Sequence, residues 1–270
     1  MNPKLEQKQG SQEEFERLGY TIYRDVIDAE LIEEARAHVD WIAKKHPDLR
    51  PEQYHANLAI DDPFWVRLVS DPRFLDVAEQ FIGPNIALYA SHYISKPAGD
   101  GQAVLWHQDG AYWLLDPMEV VTLWLAVDDS TPENGCMRVI PESQNLDLKP
   151  LEEKKDGQNV LGSSTPDEFV DESKAVDLIL KAGDVSVHHP NIIHGSNANT
   201  SDKRRCGLTI RYVPTTTRIL DHRTPLPIFL LRGKAVPGIN DYLPLPKYIE
   251  GEHLPFQGAE WWLWEVNSTP

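Results

Sequence analysis

Two cysteines in 270 residues, Cys136 and Cys206, are too few for a disulfide framework. Both stand in apolar, strand-like surroundings and read as reduced packing residues. No stretch approaches the ~18 apolar residues that a membrane helix needs. The opening MNPKLEQKQGSQEEF lacks the apolar centre of a signal peptide. Positive charge is scarce as well: 26 Lys and Arg against 42 Asp and Glu leave a net charge of −16. That balance argues against nucleic acid and anionic membrane as partners. Internal repeats and low-complexity tracts are also missing. What remains is 41% hydrophobic residues and eight tryptophans, enough for a real core, at a length that one β-barrel domain commonly fills. The expectation is a soluble cytoplasmic protein acting on a small molecule; the sequence does not specify an oligomeric state.

Along the chain, one domain spanning 1–270 with a helical front end is expected. Residues 11–19 read as a short helix and 20–23 as a strand. Asp28 suits the N-cap of a helix to about residue 45, with Leu31, Ile32, Ala35, His38 and Ile42 near helical spacing. Asp71-Pro72 opens another helix over 73–81, closed by Gly83-Pro84, so the helical part covers about 11–83. From Ile86 strands dominate: 86–95, 103–107, 120–128, 137–140, 176–180, 185–188 and 206–213. Short strands separated by turn residues predict a mainly β fold with flanking helices, an antiparallel barrel or double-sheet jelly roll over about 86–215. The segment 142–175 is long, charged and aperiodic, which marks an insertion of the kind that forms lids. Residues 216–270 are rich in proline and tryptophan (Pro225, Pro227, Pro237, Trp261, Trp262, Trp264) and read as an extended arm.

The chemistry concentrates in two places. Trp106-His107-Gln108-Asp109-Gly110 carries a His-x-Asp pair, and His194-Gly195-Ser196 follows 85 residues after the aspartate. Alternate residues of a strand point the same way, so His107 and Asp109 can meet one metal, with His194 brought alongside by a second strand. Two imidazoles and one carboxylate on one face is the set that holds Fe(II) and leaves the other positions open. His188 and His189 have no spacing partner and read as structural.

The strand after His194 supplies a second element. Leu208, Ile210 and Tyr212 alternate with Arg205, Gly207, Thr209 and Arg211. If the apolar set packs outward, the polar set faces the barrel interior. An inward arginine needs an anion, because an unpaired buried charge is very costly. A dicarboxylate co-substrate would fit Arg205, since a guanidinium fork binds a carboxylate bidentately. Arg211, further along, could take an anionic group of the substrate or pair with a carboxylate such as Asp128. Lys203 and Arg204 read as surface residues. Lys96 and His92 share the parity of Ile94; Lys96 is assigned to the co-substrate and His92 to the substrate. Tyr112 and Trp113 follow the first ligand strand and suit a substrate wall.

On these residues the chain resembles the phytanoyl-CoA dioxygenase family of Fe(II)/2-oxoglutarate oxygenases. The resemblance rests on Trp106-His107-Gln108-Asp109, on WLAVDDSTPENGCMRVIP from Trp124 to Pro141, and on His194-x-Ser196 with Asn199, Ser201 and Arg205. It covers roughly residues 12–215. It implies a double-stranded β-helix with His107, Asp109 and His194 as iron ligands. Arg205, eleven residues after His194, and Ser196 would hold the far carboxylate of 2-oxoglutarate, with Trp124 as an aromatic lining that pocket. It further implies O₂ as co-substrate, succinate and CO₂ as products, and hydroxylation of an unactivated C–H bond, with desaturation or ring formation open to the same residues. Asp109 disfavours halogenation, for which the family substitutes a small residue there. The alternative is a non-oxygenase cupin-like isomerase or a metal-binding jelly roll, which would have no use for Ser196 and Arg205 at their spacing.

Overall fold

Asp28 accepts a hydrogen bond from the Leu31 amide at 3.0 Å and so starts the helix α2, Ala29–Lys45, in this computed structural model. Residues 10–154, 159–220, 227–260 and 262 are described. Leu31, Ile32, Ala35, Val39 and Ile42 form its buried face. The short α1, Gln12–Leu18, precedes it, and α3, Pro63–Val69, and α4, Pro72–Ile82, follow. Sequence periodicity misses α3, because six of its seven residues are buried and it shows no polar stripe. Its start is nonetheless a standard one: Asp62 caps the Trp65 amide at 2.9 Å, and Pro63 occupies the first turn.

The helices lie against one face of a six-stranded antiparallel sheet. The strands are β1 (Tyr20–Tyr23), β2 (Ile86–Lys96), β3 (Val104–His107), β4 (Val121–Ala126), β5 (Met137–Val139), β6 (Val176–Asp177), β7 (Val185–His188), β8 (His194–Ser196), β9 (Arg205–Pro214) and β10 (Phe229–Arg232). The major sheet has the order β1-β7-β4-β9-β2-β10 and the minor sheet β3-β8-β5-β6. Two sheets wound in this way are the jelly roll expected of the sequence. The strand expected over 176–180 ends at Asp177, and β8 is the second strand expected to bring His194 alongside. β10 was not foreseen; it adds an edge strand from the arm to the major sheet.

Alternation along β9 divides the molecule. Cys206, Leu208, Ile210 and Tyr212 enter the core beneath the helices with Leu123, Leu125, Val185, Val187 and the buried face of α2. Each fully buried aliphatic side chain there contributes roughly 1.5–3 kcal/mol relative to exposure. Arg205, Thr209 and Arg211 turn the other way and line the space between the sheets. Every residue of β9 is buried, so this strand carries its polar face inside the protein. That placement makes the inner face a site rather than a solvent surface.

Candidate metal centre

His107 ends β3 and His194 begins β8, directly opposite each other in the antiparallel pairing of the minor sheet. Their ring centroids are 4.1 Å apart. In each ring Nδ1 is satisfied by a carbonyl two residues back: Leu105 O at 2.8 Å for His107 and Ile192 O at 3.0 Å for His194. That contact fixes the tautomer with the proton on Nδ1 and leaves both Nε2 atoms as ligands. Asp109 is the point at which strand alternation fails. It lies beyond the strand, at the head of a 3₁₀ turn over Asp109–Tyr112. The turn still brings Asp109 Oδ1 to 3.5 Å from His107 Nε2, and one ligand atom from each of His107, Asp109 and His194 falls within 4.8 Å of the other two. Gln108 locks the turn: its Nε2 donates to Asn191 O at 2.8 Å, and its Oε1 accepts from the Lys149 amide at 2.9 Å.

The electrostatics fit a cation. Burial alone would raise the carboxyl of Asp109, but Arg211, His107, His188 and His194 around it hold it well below the usual carboxylate range. Burial and the neighbouring imidazoles push His194 well below the usual histidine value, so it stands neutral, as a ligand must. Two nitrogen donors and one ionised oxygen donor, all buried and facing one point, suit Fe(II).

These residues border a cavity of about 600 Å³, within the usual range for small-ligand sites of about 300–1,000 Å³. At one end lies Arg205, 2% exposed, whose Nε and Nη2 donate to Gly135 O at 2.9 and 2.6 Å. Its guanidinium sits 5.4 Å from the centre of the Trp124 ring. That ring fills the place of a side chain at residue 207: a Cβ on Gly207 would fall 1.9 Å from it, so only glycine leaves room. Ser196 shares this end. Lys96 differs from its expected placement. It is fully buried and does not border the cavity; its Nζ reaches behind β8 to donate to Ser196 Oγ at 2.8 Å and to the Asn197 carbonyl. A four-carbon stem at an inward position carries the ammonium past the neighbouring strand. Burial, with Arg205 adding repulsion, lowers Lys96 to about 6, and burial lowers Arg205 to about 10. Among the described residues neither cation has a carboxylate within ion-pair distance.

His92, Tyr112 and Trp113 border the cavity on the other side of the triad. Tyr112 stands edge-on to His107 at 5.9 Å, and Trp113 stacks under Arg211 at 5.2 Å. Arg211 faces inward as expected, yet its fork is turned to Asp109, not to Asp128, which pairs with Arg204 and Arg36. One residue that read as structural belongs to the cavity: His188 is 1% exposed, its ring 4.7 Å from that of His194. Only its register on β7 places it there; no local spacing signals it. His189, by contrast, turns away and accepts from the Asn191 amide at 3.0 Å.

Comparison with known proteins agrees with this geometry. The sequence profile of the phytanoyl-CoA dioxygenase family matches residues 15–207. L-proline trans-4-hydroxylase of Streptomyces griseoviridis is 32% identical over 169 residues, 56% of this chain and 63% of that one. Ectoine dioxygenase of Sphingopyxis alaskensis is 25% identical over 248 residues, 81% of this chain and 80% of that one. The chain thus spans less than two thirds of the proline hydroxylase. Among solved structures, the non-heme monooxygenase ThoJ superposes with a TM-score of 0.75 at 23% identity, covering 95% of this chain and 94% of its own, a likeness of fold.

Proposed function

As the chain belongs to the phytanoyl-CoA dioxygenase family, we propose that it is an Fe(II)- and 2-oxoglutarate-dependent dioxygenase that hydroxylates an unactivated C–H bond of a small metabolite. One observation carries the reading: a triad able to hold a metal shares its cavity with Arg205, a buried guanidinium that has no carboxylate of its own among the described residues. An anion at that end would complete an ion pair with Arg205. A dicarboxylate spanning from the metal to Arg205 would supply it. When bound, Fe(II), 2-oxoglutarate and O₂ supply the oxidant, with succinate and CO₂ as co-products. The protein's part is to hold and orient. His107, Asp109 and His194 would hold the ion. Arg205 and Ser196 would hold the far carboxylate, with Lys96 orienting the Ser196 hydroxyl from behind and Trp124 closing that wall. His92, Tyr112 and Trp113 would form the substrate side.

A cupin-like isomerase or a metal-binding jelly roll without turnover would use the triad but not the cationic end. Anaerobic addition of 2-oxoglutarate to the Fe(II)-loaded protein is expected to produce a weak visible charge-transfer band; no band would sink the oxygenase reading. A screen of candidate metabolites for stimulated succinate formation would then identify the substrate. The net charge of −16 and the buried unpaired thiols of Cys136 and Cys206 favour a small metabolite over a polyanion and a reducing, cytoplasmic setting. No helix among the described residues is long and apolar enough to cross a membrane.

The insertion 142–175 belongs to the same proposal as a lid. Its Val160 and Leu161 border the cavity, and it touches the metal strand through Thr165 N to Trp106 O at 2.8 Å and the residue just before that strand through Val160 N to Ala103 O at 3.0 Å. Tyr112 reaches up to Ser163 Oγ at 2.8 Å. Amide exchange over 159–165 is expected to slow when 2-oxoglutarate and substrate bind. Strong protection in the free protein would count against a lid.

A further inference from the structure

Asp109 has two oxygens, and they do not face the same surroundings. Oδ1 is the one near His107 Nε2, at 3.5 Å, and it also accepts from Arg211 Nη2 at 3.4 Å. Oδ2 is turned toward the inner face of the major sheet, where three donors from three different strands converge on it. Thr122 Oγ1 lies 3.4 Å away, Arg211 Nε 3.4 Å and His188 Nε2 3.7 Å. The convergence follows from register: Arg211 of β9 stands opposite Thr122 of β4, and Thr122 stands opposite His188 of β7. The three side chains form one cross-strand row on the inward face.

Each member of that row is otherwise fixed or waiting. Arg211 is clamped by Thr209 Oγ1 at 3.2 Å, by His92 Nδ1 at 3.4 Å and by the Trp113 face. Thr122 is fully buried. His188 is buried with neither ring nitrogen hydrogen-bonded among the described residues. A buried polar group left so costs free energy unless a partner comes to it, and the nearest anionic oxygen is Oδ2.

We propose that Arg211, Thr122 and His188 are positioning residues: Arg211, forked across both oxygens, fixes the plane of the Asp109 carboxylate, and Thr122 and His188 hold Oδ2 away from the metal, so that the carboxylate ligates through Oδ1 alone. The proposal rests on the reading of the triad as a metal centre. Its consequence is a count of positions. A six-coordinate ion held by three protein donors keeps three positions for co-substrates; a carboxylate binding through both oxygens takes one of them. The row therefore protects the open face of the site, and it gives Arg211 a resident carboxylate, Asp109, where the sequence left open a substrate anion or a carboxylate such as Asp128.

The test uses the full chain loaded with Co(II), whose visible spectrum reports coordination number, and calorimetric binding of 2-oxoglutarate to that protein. Charge is kept constant by choosing Arg211→Lys, Thr122→Val and the double variant Thr122→Val/His188→Phe. Orienting partners of metal ligands typically matter by about 10- to 100-fold. Arg211→Lys and the double variant are accordingly expected to weaken 2-oxoglutarate binding by about that factor and to change the Co(II) spectrum, while the metal-free proteins keep the wild-type far-ultraviolet circular dichroism. Thr122→Ser, which retains the hydroxyl, should restore both readouts relative to Thr122→Val. Unchanged Co(II) spectra and unchanged 2-oxoglutarate binding in all three variants would overturn the proposal, and so would loss of substrate-stimulated turnover in Arg211→Lys with both readouts intact, since Arg211 would then serve the substrate. If the wild-type protein itself bound no Co(II), the metal-centre reading would fail first.

Discussion

His107→Ala and His194→Ala are each expected to reduce 2-oxoglutarate-dependent succinate formation to background. The two histidines come from adjacent strands with their Nε2 atoms free only because each Nδ1 is committed to a carbonyl. Two remaining donors cannot hold a labile Fe(II) from one face. A second readout separates lost metal from lost fold. A ligand at a hundred times its Kd stabilises the native state by about 2.7 kcal/mol. The wild type should therefore gain thermal stability on adding Fe(II) anaerobically, and both variants should lose that gain. Their metal-free midpoints should stay near the wild-type value, since each substitution removes a side chain that borders the cavity and is not part of the apolar core. His189→Ala is the neighbouring control: its ring serves the Asn191 amide and not the cavity. Near wild-type succinate formation in either ligand variant would refute the triad.

How far the sequence could have led is visible residue by residue. His107 and Asp109 were legible as a pair from their i, i+2 spacing, Arg205 from the alternation of its own strand, and His194 with Arg205 from the motif that the family resemblance supplies. Asp109 nonetheless reaches the site by a 3₁₀ turn rather than by strand alternation; the i, i+2 spacing survives both geometries, so the three side chains still converge although the local picture was partly incorrect. His188 was illegible because its meaning depends on standing opposite Thr122, a pairing between strands more than sixty residues apart that no local pattern encodes. Lys96 was read with the right parity and the wrong reach, since alternation gives the direction of Cβ and not the end of a flexible stem. The helix α3 was missed for the opposite reason: burial on all sides erased the amphipathic period that marks α2 and α4. Local chemistry is written in spacing; convergence across strands is written in register, which a single sequence leaves open.

Arg205→Ala is expected to raise the concentration of 2-oxoglutarate needed for half-saturation while leaving Fe(II) affinity nearly unchanged. Losing one partner of a desolvated, hydrogen-bonded charge pair typically costs ~2–5 kcal/mol, or roughly 30- to several-thousand-fold in affinity. Arg205→Lys should recover part of that, since an ammonium cannot reproduce the fork that Gly135 O and the Trp124 face hold in place. Arg204→Ala is the control: that side chain points out to Asp128 at 2.8 Å and Asp40 at 3.0 Å, so co-substrate affinity should stay within twofold. The pH profile adds an independent sign. In the free protein Lys96 titrates at about 6, lowered by burial and then by Arg205. A carboxylate arriving at Arg205 and Ser196, with Lys96 behind the serine, favours the protonated lysine, so its value rises on binding and the complex takes up a proton. Affinity for 2-oxoglutarate should accordingly be greatest below pH 6 and fall as pH rises toward the higher value in the complex. Arg205→Ala removes the repulsion on Lys96 and should shift the onset of that fall to higher pH. A Kd that is flat between pH 6 and 8 would mean that Lys96 does not sense the co-substrate, and equal losses at Arg204 and Arg205 would replace the directed fork with a diffuse basic surface.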